Sequence, residues 1–208
     1  MKKLAILSAI FFHSFLSGAQ ADIRFYNKGL KLAALGDLEE AIRFFSKAIK
    51  YEPEFEEAWY NRGLAKSRLG DYPGAIGDYT RAIDIKPDFA RAYNNRGADK
   101  HELQDYLSAI KDYDKAIESD PAYILAWFNR GNSHYKMSNY DKALADFTKA
   151  IELDGAFTDA WFNRGLTRTK LKDIEGSLED FNRVREMQPA YPGLQEKIDM
   201  VKTQKIEE

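Results

Sequence analysis

From Glu56 to Leu69 apolar side chains return at the spacing of one helix face, Gly70-Asp71 interrupts the pattern, and it resumes from Tyr72 to Ile85. The spacing predicts two helices joined by a tight turn, with Asp37 and Asp71 placed to cap second helices and Asp37 with Glu40 at capping-box spacing. The same unit recurs along the chain without a gap. Rings stand at Phe25, Trp59, Tyr93, Trp127 and Trp161, each 34 residues from the last. The same offset aligns Asn27, Asn61, Asn95, Asn129 and Asn163, then Lys28, Arg62, Arg96, Arg130 and Arg164, then Gly29, Gly63, Gly97, Gly131 and Gly165. In the second helix it aligns Phe45, Tyr79, Tyr113, Phe147 and Phe181, with alanine at Ala41, Ala75, Ala109 and Ala143. Proline closes four units at Pro53, Pro87, Pro121 and Pro189. Gly155 stands in the remaining slot, so the boundary geometry there is left open by the pattern.

One such helix pair cannot bury both of its faces, so each unit needs a neighbour. Glycine on one helix and alanine on the other let the pair approach closely, and the large ring of the Trp59 column fills the space beside them. The units run 22–55, 56–89, 90–123, 124–157 and 158–191. The last of them carries Ser177, Val184 and Arg185 where the others carry alanine, alanine and isoleucine, which makes its outer face less apolar. Leu194, Ile198 and Val201 then repeat at helical spacing, predicting a helix from 194 to about 205 within the tail 192–208 that covers the final unit.

The columns resemble the tetratricopeptide repeat family over residues 22–191. The resemblance implies an all-α fold, a right-handed α-solenoid of five 34-residue helix–turn–helix repeats plus the C-terminal capping helix. It also implies a concave surface lined by the first helices, on which such proteins bind partners.

Residues 1–21 read differently. Lys2 and Lys3 precede a mostly apolar run from Leu4 to Leu16, and Ala19-Gln20-Ala21 follows. That is the pattern of a secretory signal peptide cut after Ala21, and the run is shorter than the roughly 20 residues of a membrane-spanning helix. The expectation is a periplasmic or secreted protein that begins at Asp22, with no membrane insertion after cleavage.

Composition removes whole classes of function. The absence of cysteine excludes disulfides, thiolate catalysis, cysteine zinc sites and iron–sulfur clusters. With 31 basic and 33 acidic residues the chain has no global field toward nucleic acid. His101 and His134 accompany no nucleophile, carboxylate dyad or metal-ligand motif, so neither an enzyme nor a cofactor is expected.

Binding residues are sought at first-helix positions not required for packing. Carried over from the family, the column beside each ring gives Tyr26, Tyr60, Asn94, Phe128 and Phe162, and a column four residues on includes Leu64 and Asn132. Large rings bury much area at little entropy cost; the alternative is that they pack on the adjoining unit. The asparagine column offers one amide per unit, able to pair with a peptide N–H and C=O together. It is similar to the asparagine ladder of O-GlcNAc transferase, although such amides also bond within a stack. The arginines change in step with Asp78, Asp112, Asp146 and Asp180: where Lys28 replaces arginine, Phe44 replaces aspartate. Charge pairs between helices follow. The chaperone-tail clamp of the family needs a lysine in the slot filled by Tyr26, Tyr60, Asn94, Phe128 and Phe162, and none is there. The expected function is a non-enzymatic module that holds a peptide or protein segment; a self-associating structural protein and a membrane-tethered envelope assembly factor are the alternatives.

Overall fold

A computed structural model describes residues 23–207; the leader expected at 1–21 lies outside the described residues. Among the described residues there are eleven helices and no strand. The first helices of successive pairs are α1 (23–35), α3 (Glu56–Arg68), α5 (Ala90–Glu102), α7 (Ile124–Lys136) and α9 (Thr158–Lys170). Their partners are α2 (Leu38–Tyr51), α4 (Tyr72–Ile85), α6 (Tyr106–Ser119), α8 (Tyr140–Leu153) and α10 (Ile174–Met187), and α11 (Leu194–Glu207) ends the chain. The chain divides into two compact units, one ending at Asp99 and the other beginning at Lys100.

Every first helix stops in the same way. The backbone N–H groups of Asp37, Asp71, Asp105, Asn139 and Asp173 reach back to the carbonyls of Leu32, Lys66, Lys100, His134 and Arg168 at 2.9–3.0 Å. The residue before each is left-handed, as this helix ending requires. It is glycine at Gly36 and Gly70 (φ 88° and 82°), but Gln104, Ser138 and Lys172 hold φ of 60–63° without that freedom. Second helices then start on aspartate caps: Asp71, Asp105 and Asp173 accept from the N–H of Gly74, Ser108 and Gly176 at 3.0–3.2 Å.

Asp37 departs from its expected role. It makes no side-chain cap bond, and the capping box with Glu40 is not formed. The Asp37 N–H is already satisfied by Leu32, and Glu40 is held by Arg43 at 2.9 Å, so the Glu40 half of the box has no donor to meet.

The pairs close on glycine. A Cβ built on Gly63, Gly131 or Gly165 would lie 2.7–2.8 Å from the ring of Tyr79, Phe147 or Phe181 on the partner helix. Those three rings are fully buried. In the N-terminal unit Tyr60, Tyr79, Ile83, Phe89 and Ala92 form one cluster. In the C-terminal unit Leu194, Ile198 and Val201 of α11 are buried with Ile174, Phe181 and Val184 of α10, so the apolar stripe of the last helix is laid on the last pair. Val184, larger than the alanine at this slot of the other second helices, is buried against this added layer.

Glycine is a poor helix former, yet here its replacement should be costly. Gly131→Ala gains about 1 kcal/mol of helix propensity but drives a methyl into Phe147, and the expected net loss in urea unfolding is about 1–3 kcal/mol. Gly77→Ala on α4, where the added Cβ meets open space, should instead stabilise by up to about 1 kcal/mol. Equal effects at the two positions would show that ring-on-glycine packing does not set the helix spacing.

Candidate functional site

The arginine column is structural and does more than pair once. Arg62, Arg130 and Arg164 each make two parallel bonds, through Nε and Nη2, to Asp78, Asp146 and Asp180 at 2.6–3.0 Å. The third guanidinium nitrogen reaches the preceding pair: Arg62 to Ser46 at 3.0 Å, Arg96 to Thr80 at 3.0 Å, Arg130 to Asp114 at 2.6 Å and Arg164 to Thr148 at 3.4 Å. Each guanidinium also lies over a ring, 4.6–4.8 Å from Trp59, Trp127 and Trp161. One side chain thereby ties three helices. The aspartates are buried, and removing one partner from such a pair costs about 3–5 kcal/mol. In the first pair the change of both residues is compensated, because Lys28 sits 4.3 Å over the ring of Phe44. The Ser46, Thr80, Asp114 and Thr148 column was not singled out from the sequence, since its members share only an oxygen.

A second cation reinforces most of these aspartates. Lys66 meets Asp78 at 2.8 Å, Lys100 meets Asp112 at 2.7 Å and Arg168 meets Asp180 at 3.1 Å. His134 occupies that slot beside Asp146. It is buried, its Nδ1 has no hydrogen-bond partner, and burial holds its pKa below the ordinary histidine value against the pull of Asp146.

The ring column expected on the binding wall is mostly packing. Tyr26 lies 5.9 Å from Phe45 and 4.7 Å from Phe55; Tyr60 lies 5.9 Å from Tyr79 and 4.9 Å from Phe89. Phe128 has the same relation to Phe147 and Phe157, and Phe162 to Phe181 and Tyr191. The third ring of each triad stands at or just before the start of the next helix, where a polar cap is the usual reading, and that column escaped notice. Tyr60 and Asn94 are buried, at 8% and 3% exposure.

The asparagine ladder is partly spent within the stack. Asn61 Nδ2 donates to the Tyr26 hydroxyl at 3.0 Å and to the Glu57 carbonyl at 2.8 Å, and Asn95 Nδ2 donates to the Tyr60 hydroxyl at 2.9 Å. Asn94 Nδ2 donates to Asn95 Oδ1 at 3.1 Å. Asn163 Nδ2 donates to Asn132 Oδ1 at 2.8 Å. Asn129 is half-buried, and Asn27 is exposed beside Arg24, Lys28 and Lys31. Where the preceding ring carries a hydroxyl, the amide is bound to it; at Phe128, which has none, Asn163 turns to Asn132.

Cavities follow the first helices in both units. In the N-terminal unit about 230 Å³ is lined by Ala33, Leu38, Asn61, Leu64, Ala65 and Arg68. In the C-terminal unit about 320 Å³ is lined by His101, Asn132, Tyr135, Lys136, Phe147, Asn163 and Leu166. Of the expected binding residues, the structure brings Asn132 and Asn163 together on this second cavity. Among the described residues no cluster of three or more histidine and carboxylate groups could hold a metal. The Gly155 boundary keeps the geometry of its proline counterparts: Trp161 Nε1 donates to the Gly155 carbonyl at 3.0 Å, as Trp59 and Trp127 do to Pro53 and Pro121.

Family models described as tetratricopeptide repeat match residues 56–89, 124–157 and 158–191, and one described as TPR repeat matches 29–70 and 99–138. Curated proteins give no match to the chain. Among solved structures, a MamA fragment from Desulfovibrio magneticus aligns at TM-score 0.76 and 22% identity over 83% of this chain and 97% of its own. A tetratricopeptide repeat protein from Parabacteroides merdae aligns at TM-score 0.77 and 23% identity over 88% and 72%. YrrB, described as a TPR protein with an unusual peptide-binding site, aligns at TM-score 0.73 and 22% identity over 89% and 96%. At these identities the likeness is one of fold.

His134 yields a pH dependence of known sign. Its folded pKa is depressed, so the unfolded chain binds the extra proton, and its contribution to stability is full above about pH 6.5 and is lost as pH falls below that value. His101 is shifted the same way. The substitution His134→Lys removes the titration and supplies the second cation that Asp78 and Asp112 already have. Urea midpoints at pH 7.5 and 5.5 should therefore differ less in the variant, with the variant more stable at pH 5.5. Parallel pH profiles would refute this assignment.

Proposed function

The chain belongs to the tetratricopeptide repeat family, and from that premise we propose that it is a scaffold which holds an extended peptide or protein segment along the face lined by its first helices. The family's fold suggests protein–protein interaction in general. The finer reading is supported above all by the cavity of the C-terminal unit, where Asn132 and Asn163 stand together over an apolar floor of Phe147 and Leu166. The volume is at the small end for a ligand site, which suits one side chain of a longer partner. The peptide-binding site by which YrrB is described accords with this use of the fold. Among the described residues no helix is long and apolar enough to cross a membrane.

Peptides selected by display on the wild-type protein provide the test. Joint replacement Asn132→Ala and Asn163→Ala should weaken a selected peptide by about 1–3 kcal/mol in calorimetric titration, since a peptide group loses its partner, with the melting temperature held. Undiminished affinity would place the site elsewhere.

Action outside the cytoplasm is part of the proposal, and it rests on the charge and apolar pattern of residues 1–21. Intact mass of the exported protein should correspond to a chain that begins at Asp22. Recovery of the uncut chain in the membrane fraction would replace this reading with an anchored one.

A further inference from the structure

Two cavities occupy equivalent columns of the two units, and their linings differ in chemistry. Counting on by two repeats, Ala33 of the N-terminal cavity becomes His101, Leu64 becomes Asn132 and Arg68 becomes Lys136; Ser67, beside that lining, becomes Tyr135. Packing is served by alanine and leucine at these slots, so the polar set calls for another reason.

The polar atoms that remain are nearly all donors. Asn132 Oδ1 is taken by Asn163, which leaves Asn132 its amide N–H groups. His101 Nδ1 is 2.8 Å from Ser133 Oγ, which leaves Nε2 as the ring nitrogen for a ligand. Burial raises the Tyr135 hydroxyl pKa, so it stays protonated and able to donate. Lys136 makes no ion pair among the described residues, whereas Arg68 of the N-terminal cavity is bound to the Ala33 carbonyl at 3.3 Å. No carboxylate lines the cavity; Glu102, adjacent to His101 in sequence, is exposed. Asn163 Oδ1 is the one amide or carboxylate oxygen of the lining left without a hydrogen bond among the described residues.

We infer that this cavity selects an acidic side chain of the bound peptide, its carboxylate received by Lys136, Tyr135, His101 and the Asn132 amide, an assignment that rests on the peptide-holding reading above. A carboxylate fits because charge-assisted bonds from several converging donors are the strong ones. The chain's net charge of −2 gives acidic peptides no general attraction, so a preference for them has to arise locally.

The test uses short peptides of alternating serine and glutamate, and the same peptides with glutamine, acetylated and amidated so that only side-chain carboxylates are offered. In titrations of the full chain the glutamate peptide should bind about tenfold more tightly or better. Lys136→Met should erase that preference. Equal affinity for the two peptides overturns the inference and leaves the peptide-holding reading intact. A preference that survives Lys136→Met also overturns it, because the carboxylate would be met elsewhere. Inorganic phosphate that displaces the peptide as well as free glutamate does would mean an unselective anion site, and overturns it too. Failure of both peptides, together with failure of the display-selected ones, would sink the inference and the reading beneath it.

Discussion

The distance between the two helices of a pair is set by a ring lying on a glycine. With Tyr79, Phe147 and Phe181 against Gly63, Gly131 and Gly165, there is no room for a methyl group, and the remaining contacts are arranged around that separation. At this spacing the second-helix ring reaches the ring of the first helix, and the aromatic residue that opens the next pair completes the triad. At the same spacing an arginine can bond its aspartate through two nitrogens and still touch the preceding pair with the third. Aromatic packing and ion pairing are usually alternatives; here Arg62, Arg130 and Arg164 each lie over an indole and use both.

The fold was legible because columns of one residue type at a fixed interval need no knowledge of contacts. Glycine, arginine and the large rings gave away the helix pairs, and the joint change at Lys28 and Phe44 pointed to a pair before any distance was known. The hydroxyl-and-acid column at 46, 80, 114 and 148 was invisible because Ser, Thr and Asp share an acceptor and not an identity. The aromatic column at 55, 89, 123, 157 and 191 was masked for a different reason. It stands where a polar cap is normally sought, and at Phe55 and Phe157 a third ring takes the place of the capping bond, which α3 and α9 do without.

The binding wall was less legible than the fold. Which partner an asparagine amide takes depends on whether the ring 35 residues earlier carries a hydroxyl, as Tyr26 and Tyr60 do and Phe128 does not. A column reading treats the five amides as equivalent, while their neighbours make them different. The same holds for His134: no motif accompanied it in the sequence, and its slot makes it the weak member of a column of cations around buried carboxylates.

The placement of α11 closes the face that a further repeat would use. Leu194, Ile198 and Val201 take up the apolar side of α10, as a terminal cap does in a repeat array, so another helix pair could be laid on α10 only by displacing α11.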